Sequence, residues 1–122
     1  MSHIVTIQTQ VRDPDALAAA CRRLGLAEPK QETVPLFSGQ VIGLAVRLPN
    51  WQYPLVVDIA ASTLHYDNFE GNWGDRAELE RLLQMYAVEK AKLEARRKGF
   101  AVQETALQDG SVKLQILEGA AP

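Results

Sequence analysis

The chain has 122 residues, with 13 basic against 15 acidic side chains, a net charge of −2, 47% hydrophobic residues and one cysteine. That is material for one soluble domain with its own core. It excludes a chain held to nucleic acid by bulk electrostatics, a membrane-spanning run of ~20 apolar residues and an internal disulfide. The opening Met1-Ser2-His3-Ile4 lacks the charged and apolar regions of a signal peptide. The lone Cys21 suits a reducing compartment. A cytoplasmic protein is expected.

In chain order, His3 to Val11 reads as a strand, because Val5, Ile7, Thr9 and Val11 alternate with Thr6, Gln8 and Gln10. A helix follows between clear signals. Asp13 is a good N-cap, Pro14 suits the first helical position, and Gly25 stops the helix. Leu17, Ala20, Cys21 and Leu24 form its apolar face. Gln31 to Phe37 reads as a strand that Pro35 confines to an edge. Val41 to Leu48 alternates as a further strand until Pro49-Asn50 breaks it. Leu55 to Ala61, nearly all apolar around Asp58, suits a central strand.

Asp75 to Lys98 is the strongest element. Asp75 and Glu78 have capping-box spacing, and Arg96-Arg97-Lys98 favour the negative end of the helix dipole. At ~1.5 Å per residue the helix is about 36 Å long, enough to cross a sheet. After Gly99, Phe100 to Thr105 and Ser111 to Leu117 flank the hairpin signal Asp109-Gly110. The expected fold is α+β, a mainly antiparallel sheet with two helices packed on one face. It comprises a single domain over 1–118 and a flexible tail over 119–122.

The segment Ser62 to Gly74 gathers His65, Tyr66, Phe69 and Trp73 among Asp67, Asn68, Glu70 and Asn72, in a chain that is only 7% aromatic. Such rings either fold back to roof the sheet and seat the long helix, or form a binding surface. His65, Asp67, Glu70 and Asp75, with His3, offer metal-binding atoms, but paired histidines and Cys-x-x-Cys are absent, so no metal or cofactor is expected. Catalysis finds little support. Cys21 lies on an apolar helix face, and Asp58 suits a strand's end or solvent face. No Gly-x-Ser-x-Gly or Gly-rich phosphate loop occurs. No catalytic residue is assigned.

On the long helix, Leu79, Leu82, Leu83, Tyr86 and Leu93 make the core stripe, yet Lys90 and Arg97 fall within it. They must snorkel past the sheet's edge, pair with Glu94 or a strand carboxylate, or meet an anionic ligand. Met85 and Val88 on the opposite side are too few to predict a second interface.

Several short motifs, taken together, resemble a known family. Met1-Ser2-His3, Thr6-Ile7-Gln8-Thr9-Gln10-Val11-Arg12-Asp13, Val57-Asp58, Gln84-Met85-Tyr86-Ala87, Gly99-Phe100 and Asp109-Gly110-Ser111-Val112-Lys113-Leu114 occur in order across most of the chain. They resemble the hypothetical chloroplast reading frame thirty-five family, also called domain of unknown function twelve fifty-seven. Asn68-Phe69-Glu70-Gly71-Asn72-Trp73-Gly74-Asp75 resembles its bacterial branch, while Leu117-Glu118-Gly119 departs from the plastid members' aromatic-basic tail. Members are uncharacterised proteins whose genes often lie beside small proteins of unknown function and ATPase-type proteins. The resemblance therefore implies an accessory or adaptor role and transfers no catalytic residue.

The function expected from the sequence is a non-catalytic interaction protein that binds a protein partner through His65, Tyr66, Asp67, Phe69, Trp73 and Lys90. The alternative is a small-molecule-binding or catalytic domain, with His65, Asp67, Asp58 and Lys90 lining a pocket under the 62–74 loop. The two separate on whether those four side chains face one concavity. Neither nucleic acid nor membrane is an expected partner. An Ile/Val-rich edge strand leaves self-association open.

Overall fold

The computed structural model describes residues 4–117. The Met1–His3 opening and the expected tail over 119–122 lie outside the described residues. The elements run β1 (Val5–Gln8), α1 (Pro14–Arg23), β2 (Lys30–Leu36), β3 (Gly39–Val46), β4 (Leu55–Asp58), β5 (Thr63–Tyr66), α2 (Arg76–Arg97), β6 (Ala101–Ala106) and β7 (Val112–Leu117). β1 to β5 form one antiparallel sheet in the order β1-β5-β4-β3-β2. The α+β architecture with helices on one sheet face is as expected.

Local chemistry sets the helices. Oδ1 of Asp13 accepts from the amides of Asp15 (2.9 Å) and Ala16 (3.3 Å), so the carboxylate satisfies two of α1's first free N–H groups. Asp75 caps α2 by accepting from the Ala77 amide at 2.9 Å. Leu17, Ala20 and Cys21 of α1 and Leu79, Leu82 and Tyr86 of α2 pack on Val46, Leu55, Val57, Leu64 and Tyr66 of the sheet. Burial of these apolar side chains is the main stabilising term.

Three features differ from the sequence reading. The run Leu55 to Ala61 is not one strand. It turns after Asp58, whose Oδ1 accepts from the Ala61 amide at 3.1 Å, and Ser62 adopts φ 56°. The chain then returns as β5, so the first third of the expected 62–74 loop is a strand between β1 and β4. Four residues with a polar neighbour on either side give too short an alternation to stand out.

The second difference is the hairpin. β6 and β7 pair with each other from Ala101↔Leu117 to Ala106↔Val112 as a separate two-stranded sheet. This hairpin packs on α2 rather than extending the main sheet. A charge cluster fastens it: the Arg23 guanidinium of α1 donates to both carboxylate oxygens of Glu104 on β6 and, at 3.1 Å, to Glu89 of α2. Lys92 of α2 lies 3.3 Å from Glu89 and 3.6 Å from Glu104.

The third difference follows. Val88 and Ala95 of α2 are buried at 7% and 3% exposure, although Val88 lies about two and a half turns from Leu79 and so on the opposite side of the helix. Helix α2 is covered on two opposed faces, and Val88 belongs to a second buried face after all.

Candidate functional site

The five-stranded sheet has a far face that the helices do not reach. Strand alternation sends Leu64 and Tyr66 of β5 toward the helices and His65 the other way, opposite Thr6 of β1 and Val56 of β4. On this far face Val34, Leu36, Ala45 and Val56 form a second buried cluster, joined by Ile4, Val41 and Tyr53 and by no helical residue.

The segment after β5 meets the edge of that cluster through Tyr53. Trp73 is the hub: Phe69 stacks on it at 4.8 Å between ring centres and 27°, while Phe37 (5.3 Å) and Tyr53 (5.6 Å) approach at steep angles. These offset and edge-on geometries are the favoured ones for aromatic pairs. Phe69 and Glu70 both take positive φ, 48° and 52°, a left-handed geometry that costs a non-glycine residue roughly 1–2 kcal/mol. The segment bears that cost in the conformation that seats the Phe69 ring on Trp73. Phe37, in the turn between β2 and β3, remains 62% exposed.

The connection between β3 and β4 anchors the start of α2. The Trp51 indole N–H donates to the Asp75 carbonyl at 3.0 Å, and its ring meets Tyr66 edge-on at 5.8 Å. Gly74 leaves room for this ring: a Cβ there would lie 2.3 Å from it.

The sequence-derived site residues divide among separate environments. Tyr66 is buried in the helix-side core, where Arg76 donates to its hydroxyl. Phe69 and Trp73 share the far-face aromatic cluster. His65 stands on the far face with Nδ1 2.8 Å from Thr6 Oγ1 and Nε2 3.4 Å from Thr63 Oγ1. Asp67 is 1% exposed; its Oδ1 accepts a long 3.4 Å bond from the Phe69 amide, and Oδ2 has no hydrogen-bond partner among the described residues.

Lys90 sits on the other side of the sheet and is held by carboxylates. Its ammonium donates to Asp13 Oδ2 at 3.1 Å and to Glu94 at 2.7 Å, and Arg97 donates to the same Asp13 oxygen at 3.1 Å. The partner is thus an N-cap carboxylate and Glu94, not a strand carboxylate. Burial pushes the Asp13 carboxyl up, but hydrogen bonds from Lys90, the Ala16 amide, Arg97 and the Asp15 amide outweigh it and hold it below the usual carboxylate range. Hydrogen bonds that Lys90 donates to Glu94 and Asp13 raise its ammonium above the usual range.

Lys90 and His65 therefore lie on opposite sides of the sheet and do not share one concavity. Among the described residues no three His, Cys, Asp or Glu side chains gather as metal ligands, and no helix is long and apolar enough to cross a membrane. Cys21 is buried, which pushes its thiol up to about 11 and keeps it protonated at neutral pH.

Phe37 and Tyr53 complete the aromatic cluster and were not among the site residues read from the sequence. The only local sign of Phe37 is its place in Leu36-Phe37-Ser38-Gly39, a turn between strands, where a side chain has few neighbours to bury it. Comparison of the chain with known families, characterised proteins and solved structures gave no match.

Proposed function

We propose that this chain is a non-catalytic accessory protein that docks a protein partner on the far face of its sheet. The observation that carries the reading is Phe37, a phenyl ring 62% exposed against Trp73 on a face without a helical cover. Aromatic anchors with a polar rim are the anatomy of a small interface. The same sheet face carries the exposed Arg47–Glu32 ion pair at 3.0 Å, farther along the β2–β3 hairpin. The partner is a protein segment that lays an aliphatic or proline side chain on the exposed side of the Phe37 ring, which rests against Trp73. A balanced charge favours protein over nucleic acid as the partner.

The same role is implied by the ordered motifs from Thr6 to Leu114, on which we propose membership of the reading frame thirty-five family. The test is affinity purification of the full chain from its native host beside Phe37→Ser. The expected result is a stoichiometric partner that Phe37→Ser loses while its thermal midpoint stays within a few degrees. A partner retained equally by Phe37→Ser, or no stoichiometric partner at all, overturns the reading.

A further inference from the structure

A second surface lies at the opposite edge of the sheet. Among the described residues, strand β1 pairs only with β5, leaving its other edge free. The ladder shows which backbone groups point outward. The Thr9 amide donates to the Ser62 carbonyl at 2.9 Å, in register with Val5↔Tyr66 and Ile7↔Leu64. In an antiparallel ladder, hydrogen-bonded and non-bonded pairs alternate. Val5, Ile7 and Thr9 therefore spend their backbone groups on β5, while Thr6 and Gln8 direct theirs to the free edge.

Beside that edge runs a groove of about 630 Å³ between β1, the segment leading to α1, and the flank of α2. Its apolar wall includes Val11, Leu83, Ala87 and Ala91, and the small alanines let another chain approach the helix closely. Among the described residues, the charged side chains lining it are Arg12 and Lys90, both cationic. Arg12 is exposed and enters no ion pair among the described residues. Lys90 has three N–H donors, of which Asp13 and Glu94 take two.

We propose that this groove binds an extended acidic segment of a protein by strand addition to β1. The incoming backbone pairs with Thr6 and Gln8. Alternate side chains on its helix side are apolar and enter the groove against Leu83 and Ala87, and a carboxylate meets Arg12 and the remaining Lys90 donor. A backbone edge selects an extended chain, and the two cations select acidic residues near one end. A second copy offering its own β1 is a poorer complement, because Val5-Thr6-Ile7-Gln8 carries no carboxylate. This inference stands independently of the far-face reading.

The test uses a displayed library of short random peptides selected against the full chain, with binding then measured for synthetic forms of the enriched peptides. Enriched sequences should alternate apolar and polar residues and carry Asp or Glu near one end. Binding should slow amide exchange of Thr6 and Gln8. Ala87→Arg fills the groove from an exposed helix position and should weaken binding by about tenfold or more, and Arg12→Glu should weaken it severalfold. Phe37→Ser should bind as the wild type does, so this surface and the far face succeed or fail separately. Failure to enrich acidic extended sequences overturns the proposal, as does equal binding to Ala87→Arg. A concentration-dependent dimer abolished by Ala87→Arg would overturn it in favour of a second copy.

Discussion

Lys90, in the middle of α2, reaches the carboxylate that caps α1: its Nζ lies 3.1 Å from Asp13 Oδ2. One oxygen of Asp13 starts a helix and the other binds two cations from a second helix. The same junction is sealed by the Tyr86 hydroxyl, which accepts from the Arg12 and Asp13 amides at 3.0 Å each. The helices are thus joined by a partly buried polar hub at the start of α1 as well as by their apolar faces.

Asp13 makes stability depend on acid in a defined direction. Its folded carboxyl titrates below the unfolded value of 3.8, so its contribution is complete above that value and fades as the pH falls through the folded one. Urea unfolding followed from pH 6 to pH 2 should show a steeper acid loss for the wild type than for Asp13→Asn. Asp13→Ala should cost about 1–2 kcal/mol at pH 7 from the lost cap alone.

Tyr86→Phe should be costlier than its single missing atom suggests. It leaves two amide donors in a mostly buried junction without their acceptor. A loss of about 2–4 kcal/mol is expected at roughly 1–3 kcal/mol per unsatisfied group, with some recovered through water at the half-open Arg12 side. The urea midpoint measures it, and an unchanged midpoint would show that water substitutes fully.

Gly74→Ala should destabilise through Trp51. The added methyl would overlap the indole ring, which must then move off Tyr66 and release the Asp75 carbonyl. The expected loss is about 1–3 kcal/mol, the usual cost of overpacking. A red shift of tryptophan emission would report exposure of the indole.

Arg23→Ala should loosen the hairpin. An isolated two-stranded sheet is marginal in water, and Arg23 links Glu104 of β6 to Glu89 of α2. Amides from Ala101 to Leu117 should exchange faster, while those of β3, β4 and β5 keep their protection.

Much of the local structure was legible. The caps at Asp13 and Asp75, the edge position of β2 with its Pro35 and the turn around Asp109-Gly110 all depend on neighbours within a few residues. The site was less legible. Phe69 and Trp73 were singled out and do share a cluster, but Tyr66 turns into the core because β5 is a strand, and Phe37 arrives from a distant hairpin turn. Lys90 was visible as an inconsistency in an apolar stripe. Its partner lies 77 residues away, beyond any periodicity.

The 122 residues at −2 determined an α+β chain with two well-delimited helices, because helix ends and tight turns are set by short-range backbone geometry and hydrogen bonding. Tertiary packing alone decided the other outcomes. It placed the final hairpin on α2 rather than in the main sheet, buried Val88 on the helix's second face and brought Phe37 to Trp73. It also left the free edge of β1 beside the Leu83–Ala91 flank. Those outcomes depend on contacts between segments far apart in the chain, whose free energy exists only once the sheet and helices have closed on one another.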